Sequence, residues 1–411
     1  MRVALFMYDC QPRAGSEPGI GWQFANMVGA DHEVVAFTRE VNRPAIEAAW
    51  SPPSITWEYV PLRSQVGPFR FRRNIPHALH GMAWLRLAVA RAAELHRVHA
   101  FDLSHFVTFT AFWLPTPFWK LDMPHVHGPL TGGEANHRAF QRIPGAAALQ
   151  RAGRSMLFTS LMRTRDWQRS MVRPDTLTVC ATQTVANLVA KAGAARVNVF
   201  RPPFSATKDL AADLEGLRSE TPVEPGLVVM SGRQVPWKGH DLGLRAFAAV
   251  AADWPGLRLC VIGDGPERRR LWSLARTLGI ASQVEFVRHL HRDAERQRIA
   301  ASEVFLFPSR RDAGATLVPI SLLLGTRFVG FSLAPTQVAV GNVGFLARPE
   351  GPAGPVGELA DALRRALATD RNAGLAARVD RGRHLLDIED AAARMGDWYA
   401  EVVNARNGVE V

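Results

Sequence analysis

Short runs of apolar, often β-branched residues alternate along the chain with longer stretches in which apolar positions recur three and four apart. "RVALFMY", "EVVAFTR" and "ITWEYVPL" read as strands, while "GIGWQFANMVGA", "RPAIEAAW" and the stretch from Asn74 to about Val98 carry helical spacing. "LSHFVTF", "PHVHGP", "TLTVCAT" and "VNVFRPP" extend the strand series. Such alternation is the pattern of a parallel sheet built from right-handed crossovers.

A polar stretch, "SATKDLAADLEGLRSETPVEPG", then interrupts the pattern, and the same grammar restarts at Leu227. "LVVMSG", "RLCVIGDG", "VEFV", "VFLFPS" and "FVGFS" are the second set of strands. They are separated by helical spans such as "HDLGLRAFAAVAADW", which Pro255 stops, and "PERRRLWSLARTLG". A chain of 411 residues exceeds what one core usually serves. The expected organisation is an α/β domain over 1–204, a linker over 205–226, a second α/β domain over 227–387, and a C-terminal helix over 388–411 packing back toward the first domain. Two doubly wound parallel sheets of this kind leave a cleft between the carboxyl ends of their strands, the usual place for a ligand.

Composition changes this picture little; charge changes it more. The chain is 47% hydrophobic and 21% charged, ordinary for a folded protein. Its formal charge of +11 favours an anionic partner. Between Arg138 and Arg173 eight arginines face the single acid Asp166, interleaved with "SMLFTSLM" and Trp167. A second segment, "PFRFRRNIPHALHGMAWLRLAVAR", mixes arginines with Phe69, Phe71 and Trp84. Both read as interfacial helices on an anionic membrane surface, with solvated helix faces, and for the second segment a core stripe, as the alternative. No helix-turn-helix, zinc or RNA-binding signature accompanies the charge, which argues against nucleic acid.

Arg86, Arg91 and Arg97 break the most hydrophobic stretch, so no membrane-spanning helix is expected. "MRVALFMYDC" has too short an apolar run for a signal peptide and reads as a first strand. Cys10, Cys180 and Cys260 fall in or beside apolar runs with no close pair, as core thiols of a reducing, cytoplasmic compartment do.

Two loops carry candidate chemistry. In "YDCQPRAGSEPGIGW", Gly15, Gly19 and Gly21 lie just before or at the start of a helix, where backbone amides approach a diphosphate closely; a plain tight turn explains them as well. The spacing is not that of a nicotinamide-dinucleotide fingerprint, and no acid closes the second strand, which ranks an oxidoreductase low. In "LVVMSGRQVPWKGHDL", Arg233 and Lys238 flank a loop between a strand and a helix, so two cations and free amides can face one point. That suits a diphosphate leaving group, whose charge grows as its bond to carbon breaks; two solvated surface cations are the alternative.

The ordered series "LVVMSGRQVPWKGHDL", "LCVIGDGPERRRLWSLARTLG", "VEFV" and "VFLFPSRRDAG" resembles the nucleotide-sugar glycosyltransferases of family 4, most strongly from Leu227 to Pro349. "GSEPGIGW" and "PHVHGPLTGGE" look like the acceptor-side loops of a subgroup of them. The resemblance implies the GT-B fold of two facing Rossmann-like domains and transfer of a hexose from a nucleotide-diphosphate sugar to a lipid-linked or saccharide hydroxyl, with retention and without a metal or other cofactor. It places the protein in cell-surface polysaccharide or glycolipid synthesis, peripheral at the inner face of the plasma membrane.

By the same resemblance Arg233 and Lys238 hold the donor diphosphate, with Gly15 and Gly19 beside it. Gly263 and Gly265 line the nucleotide pocket, and the backbone around Val284 and Phe286 meets the base. Asp312 stands where relatives have a Glu touching the donor sugar, and amides at Thr316 and Leu317 take the distal phosphate. His127 either orients donor or acceptor or is a structural hydrogen-bonder. Glu134 and Glu17 either meet acceptor hydroxyls or serve a helix start.

Two positions depart from the pattern. The second acid of the family's Glu-x7-Glu signature falls on Ile320, which cannot accept a hydrogen bond from a ribose; losing that bond costs on the order of 1 to 3 kcal/mol of donor binding. In "FSLAPTQVAVGNVGFL", Leu333-Ala334 and Gln337 replace a Gly-Gly turn and an acid. These departures keep open a second reading, a relative that binds or scaffolds another transferase without turning over.

Overall fold

The computed structural model describes residues 1–12, 14, 16–62, 75–133, 138–140, 156–200, 209–311 and 316–408. The chain divides into two compact units, one comprising Met1–Gly133, Ile143–Ser205 and Ile388–Val411, the other Glu134–Arg142 and Ala206–Asp387.

The first unit is built on seven strands: β1 (Arg2–Met7), β2 (Glu33–Arg39), β3 (Ile55–Val60), β4 (Leu103–Thr108), β5 (His125–Leu130), β6 (Thr176–Cys180) and β7 (Arg196–Val199). All pair in parallel, in the order β3-β2-β1-β4-β5-β6-β7. Every residue of β4, β5 and β6 is buried, as expected of central strands covered on both faces, and the buried set includes the polar residues His105, His125 and His127. Helix Ser16–Asp31 packs on one face with the C-terminal helix Ile388–Arg406, whose Met395, Trp398, Tyr399 and Val402 join the core of β1, β4 and β6. Helix Ile75–His99 covers the other face through Trp84, Leu85, Ala88 and Val89.

The second unit has β8 (Leu227–Ser231), β9 (Arg258–Ile262), β10 (Val284–Val287), β11 (Val304–Phe307), β12 (Arg327–Phe331) and β13 (Phe345–Ala347), again all parallel, in the order β10-β9-β8-β11-β12-β13. Each sheet therefore runs outward from its first strand in one direction and then returns to continue on that strand's other side. The reversal falls between β1 and β4 in one unit and between β8 and β11 in the other. At such a switch point the two neighbouring loops diverge to opposite faces and leave a crevice at the carboxyl ends.

The stretch expected to be a linker holds a helix, Leu210–Glu220, whose Leu210 and Leu214 are buried in the second unit's core beside Val229 and Phe305. Its polar composition reflects the outer face, and the two leucines four residues apart form the inner one. No helix among the described residues is long and apolar enough to cross a membrane.

Candidate functional site

The switch point of the second sheet gathers most of the expected donor residues. β8 ends at Ser231, and the chain turns through Gly232 to Gly239 before helix His240–Ala251. Gly239 has φ +69°, and a Cβ there would lie 2.0 Å from the Pro308 carbonyl oxygen, so the β8 loop rests directly on the end of β11. Arg233 is exposed and Lys238 half-buried on this loop. The Lys238 ammonium sits 5.6 Å from the Phe307 ring centroid. Next to it, His240 is almost completely buried; burial, and then the Lys238 charge, push its pKa down to about 4. Its ring is neutral at physiological pH, leaving the positive charge at this corner to Lys238 and the arginines.

The loop after β9 is locked to the loop after β8. The Gly232 amide donates to the Ile262 carbonyl at 3.0 Å, and the Gln234 amide donates to the Asp264 carbonyl at 2.9 Å. Gln234, fully buried, donates its side-chain amide to the Gly263 carbonyl at 2.9 Å. A Cβ on Gly263 would stand 2.2 Å from the Gly232 carbonyl oxygen, and one on Gly265 2.4 Å from that of Gln234. Gly263 and Gly265 thus permit backbone-on-backbone contact between the two loops, a requirement that exists before any nucleotide binds. Arg268 reaches the carbonyls of Gly263 and Phe286 at 3.4 and 3.3 Å, and the Gly263 amide donates to Val287, joining the β9 loop to β10. Val284 and Phe286 are partly buried against the core of this unit.

Across the switch point, Thr316 and Leu317 are half-buried where helix Leu317–Leu323 begins. Asp312 and Gly314 lie outside the described residues, as do Gly15 and Glu134. Ile320 is only 4% exposed and packs with Val229, Phe305 and Phe307. The position of the second signature acid is therefore a core position in this chain.

In the first unit the candidates separate. Glu17 accepts hydrogen bonds from the Thr110 amide at 2.9 Å and the Thr110 hydroxyl at 2.8 Å, and that hydroxyl meets Thr131 at 2.7 Å. Its carboxylate ties the helix start to the ends of β4 and β5. Gly19 lies in the first turns of helix Ser16–Asp31, and Gly21 lets that helix settle on Asp9, whose carbonyl oxygen would lie 2.3 Å from an added Cβ. Asp9 itself is paired with Arg39.

His127 has no solvent exposure. Its ring packs 5.0 Å from Phe106, and its Nδ1 lies 3.1 Å from Nε2 of His125. Its Nε2 has no hydrogen-bond partner among the described residues. Burial pushes its pKa down to about 3. Nearby His105 donates from Nε2 to the Gly128 carbonyl at 2.9 Å, which makes its Nδ1 the acceptor of the Tyr399 hydroxyl at 2.7 Å. The three buried histidines are held neutral inside this unit, His125 and His127 against one another and His105 between Gly128 and Tyr399.

Two contributors were not singled out from the sequence: Gln234, which binds the loops together, and Trp237, which carries guanidinium groups on its ring. The only hint was an aromatic residue inside a short polar loop.

The geometry defines a GT-B-type scaffold. The chain superimposes on sucrose-phosphate synthase from Thermosynechococcus elongatus with a TM-score of 0.68 at 17% identity, covering 98% of this chain and 99% of that one. Anabaena HepE in complex with UDP gives 0.63 at 15% identity, covering 97% and 99%. Residues 218–323 match the family described as glycosyl transferases group 1.

Curated relatives agree. They include 2-deoxystreptamine N-acetyl-D-glucosaminyltransferase of Streptomyces fradiae, 31% identical over 28% of this chain and 30% of its own length. The lipopolysaccharide core biosynthesis glycosyltransferase LpsE of Rhizobium meliloti is 30% identical over 37% of this chain and 42% of its own. D-inositol 3-phosphate glycosyltransferase of Rhodococcus erythropolis is 30% identical over 52% and 50%. The matched stretches span 20% to 56% of the curated relatives' lengths.

Proposed function

We propose that this chain is a retaining hexosyltransferase that moves a sugar from a nucleotide-diphosphate sugar to a hydroxyl of a saccharide or lipid-linked acceptor, in cell-surface polysaccharide or glycolipid synthesis at the cytoplasmic face of the plasma membrane, without a metal or other cofactor. The observation that carries the reading is the pair Arg233 and Lys238 on one loop at the β8 switch point, against the glycine-dependent β9 loop. Solved structures sharing the fold, such as Anabaena HepE in complex with UDP, support the donor class.

In the proposed step the bond between the anomeric carbon and the diphosphate oxygen breaks as a bond to the acceptor oxygen forms on the same face. The acceptor's proton passes to the departing phosphate. Arg233 and Lys238 stabilise the charge that collects there, which a neutral loop would leave uncompensated. Asp312 is assigned to the donor sugar.

A thermal-shift panel with UDP, GDP, ADP, CMP and dTDP, each with and without its sugar, tests the donor site, and a turnover assay with the stabilising nucleotide sugar tests the reaction. Lys238→Ala is expected to lower kcat/KM by about a hundredfold or more. If no nucleoside diphosphate raises the melting temperature, the proposal fails. The burial of Ile320 favours one second reading, a partner that binds nucleotide or transferase without turnover; stabilisation by a diphosphate with no transfer from any sugar conjugate would select it.

A further inference from the structure

Trp237 occupies the middle of the turn Pro236–Lys238 and is 36% exposed. Two guanidinium groups converge on its indole: Arg233 Cζ lies 6.0 Å from the ring centroid and Arg311 Cζ 5.5 Å. Arg233 follows β8 and Arg311 follows β11, the strands on either side of the switch point. The two loops are also joined through main-chain groups. The Arg310 amide donates to the Trp237 carbonyl at 2.9 Å, and the Ser309 hydroxyl donates to the same oxygen at 3.3 Å.

The adjacent arginines of "SRRD" have different surroundings. Arg310 places its guanidinium on the Pro236 carbonyl and on Asp241, both at 2.7 Å, and so braces the turn from beneath. Arg311 is half-buried and lies against the indole.

We propose that Arg311 is a third phosphate-binding cation of the donor site, and that Trp237 is the positioning residue that holds Arg233 and Arg311 toward the distal phosphate. The inference rests on the nucleotide-sugar reading above and adds two residues to it. A guanidinium held over an indole keeps its full charge and offers its N–H edge to an anion, a geometry that Lys cannot reproduce. Sharing one ring between two arginines from different loops also reduces the side-chain freedom each loses on binding. With Lys238 parked over Phe307, three cations then ring the carboxyl ends of β8 and β11, where a departing diphosphate gains charge.

The test is a titration of wild type, Arg311→Gln, Arg311→Lys, Trp237→Leu and Trp237→Phe with the nucleoside diphosphate that stabilises the wild type and with the matching monophosphate. Arg311→Gln is expected to weaken the diphosphate about tenfold or more while moving the monophosphate less than about threefold, with Arg311→Lys in between. Trp237→Leu is expected to show the same selective loss and Trp237→Phe to recover most of it. If Arg311→Gln binds the diphosphate within about threefold of wild type, the third cation is refuted while the donor-site reading stands. If Trp237→Leu weakens both nucleotides equally, its positioning role is refuted. A wild type that binds no nucleoside diphosphate overturns the donor-site reading, and this inference with it.

Discussion

Gly263 and Gly256 both have positive φ, +125° and +88°, but only the first is pressed against other backbone. An alanine at Gly256 meets nothing within 4 Å and pays for the dihedral alone, about 1 to 2 kcal/mol. At Gly263 it would also meet the Gly232 carbonyl oxygen at 2.2 Å, and the β9 loop must retreat from the β8 loop. Gly263→Ala is therefore expected to cost more than about 3 kcal/mol and to weaken nucleoside diphosphate binding, while Gly256→Ala leaves binding unchanged. Melting curves and a nucleotide titration on the two variants check this, and equal effects on binding would refute the loop-contact explanation. The sequence showed the glycines in "VIGDG" and suggested a ligand as their reason. The neighbouring backbone is a sufficient reason by itself, and it became visible only when β8 and β9 were seen side by side. His127 shows the same limit: its strand-end position looked available to a ligand, yet Phe106, Phe118 and His125 surround its ring and leave it no solvent exposure.

At the scale of elements, the two arginine-rich segments part company. Helix Ile75–His99 gives Trp84, Leu85, Ala88 and Val89 to the core, so most of its apolar stripe is accounted for by packing. The helical residues 156–162 are anchored on one side, where Phe158 stacks on Trp113 at 4.9 Å and Met162 is buried. On the other side Met156 and Leu157 are 71% and 51% exposed, followed closely by Arg163 and Arg165. If this face inserts among lipid headgroups, as the proposed membrane location requires, the protein will cosediment with anionic vesicles at low salt and not with zwitterionic ones. Replacing Met156 and Leu157 together by Asp is expected to weaken that association about tenfold or more. Equal sedimentation of the double variant would remove this helix from the membrane contact. Phe69, Phe71 and residues 141–155 of these segments lie outside the described residues; where the segments are described they hold helices, and neighbours decide whether an apolar stripe is core or surface. Helix Leu210–Glu220, which looked like a linker, makes the complementary point.

For the whole molecule the buried histidines set an acid limit. Burial lowers His105 to about 4, His127 to about 3 and His125 well below the usual histidine range. The unfolded chain takes up these protons near pH 6.5, while the folded chain excludes them until much lower pH. The stabilisation is complete above about pH 6.5 and is lost as pH falls from there toward the folded values. Each site costs about 1.4 kcal/mol per pH unit in that window, so the three remove on the order of 4 kcal/mol by pH 5.5. Melting temperature should be level between pH 8 and 7 and fall steeply from pH 6.5 to 5.5. A level profile down to pH 5.5 would show that these rings are not buried neutral.

The sequence by itself determined the alternation of strands and helices, the restart at Leu227, and the loops that carry Arg233 and Lys238, because periodicity, turn residues and loop chemistry are local properties. Tertiary structure decided the rest. It set both sheets in parallel order with a reversal beside the first strand, buried Ile320 and His127, committed Glu17 to Thr110, and brought Arg233 and Arg311 from separate loops to one indole. Each of these depends on residues distant in the chain becoming neighbours, and no local pattern records which neighbours those will be.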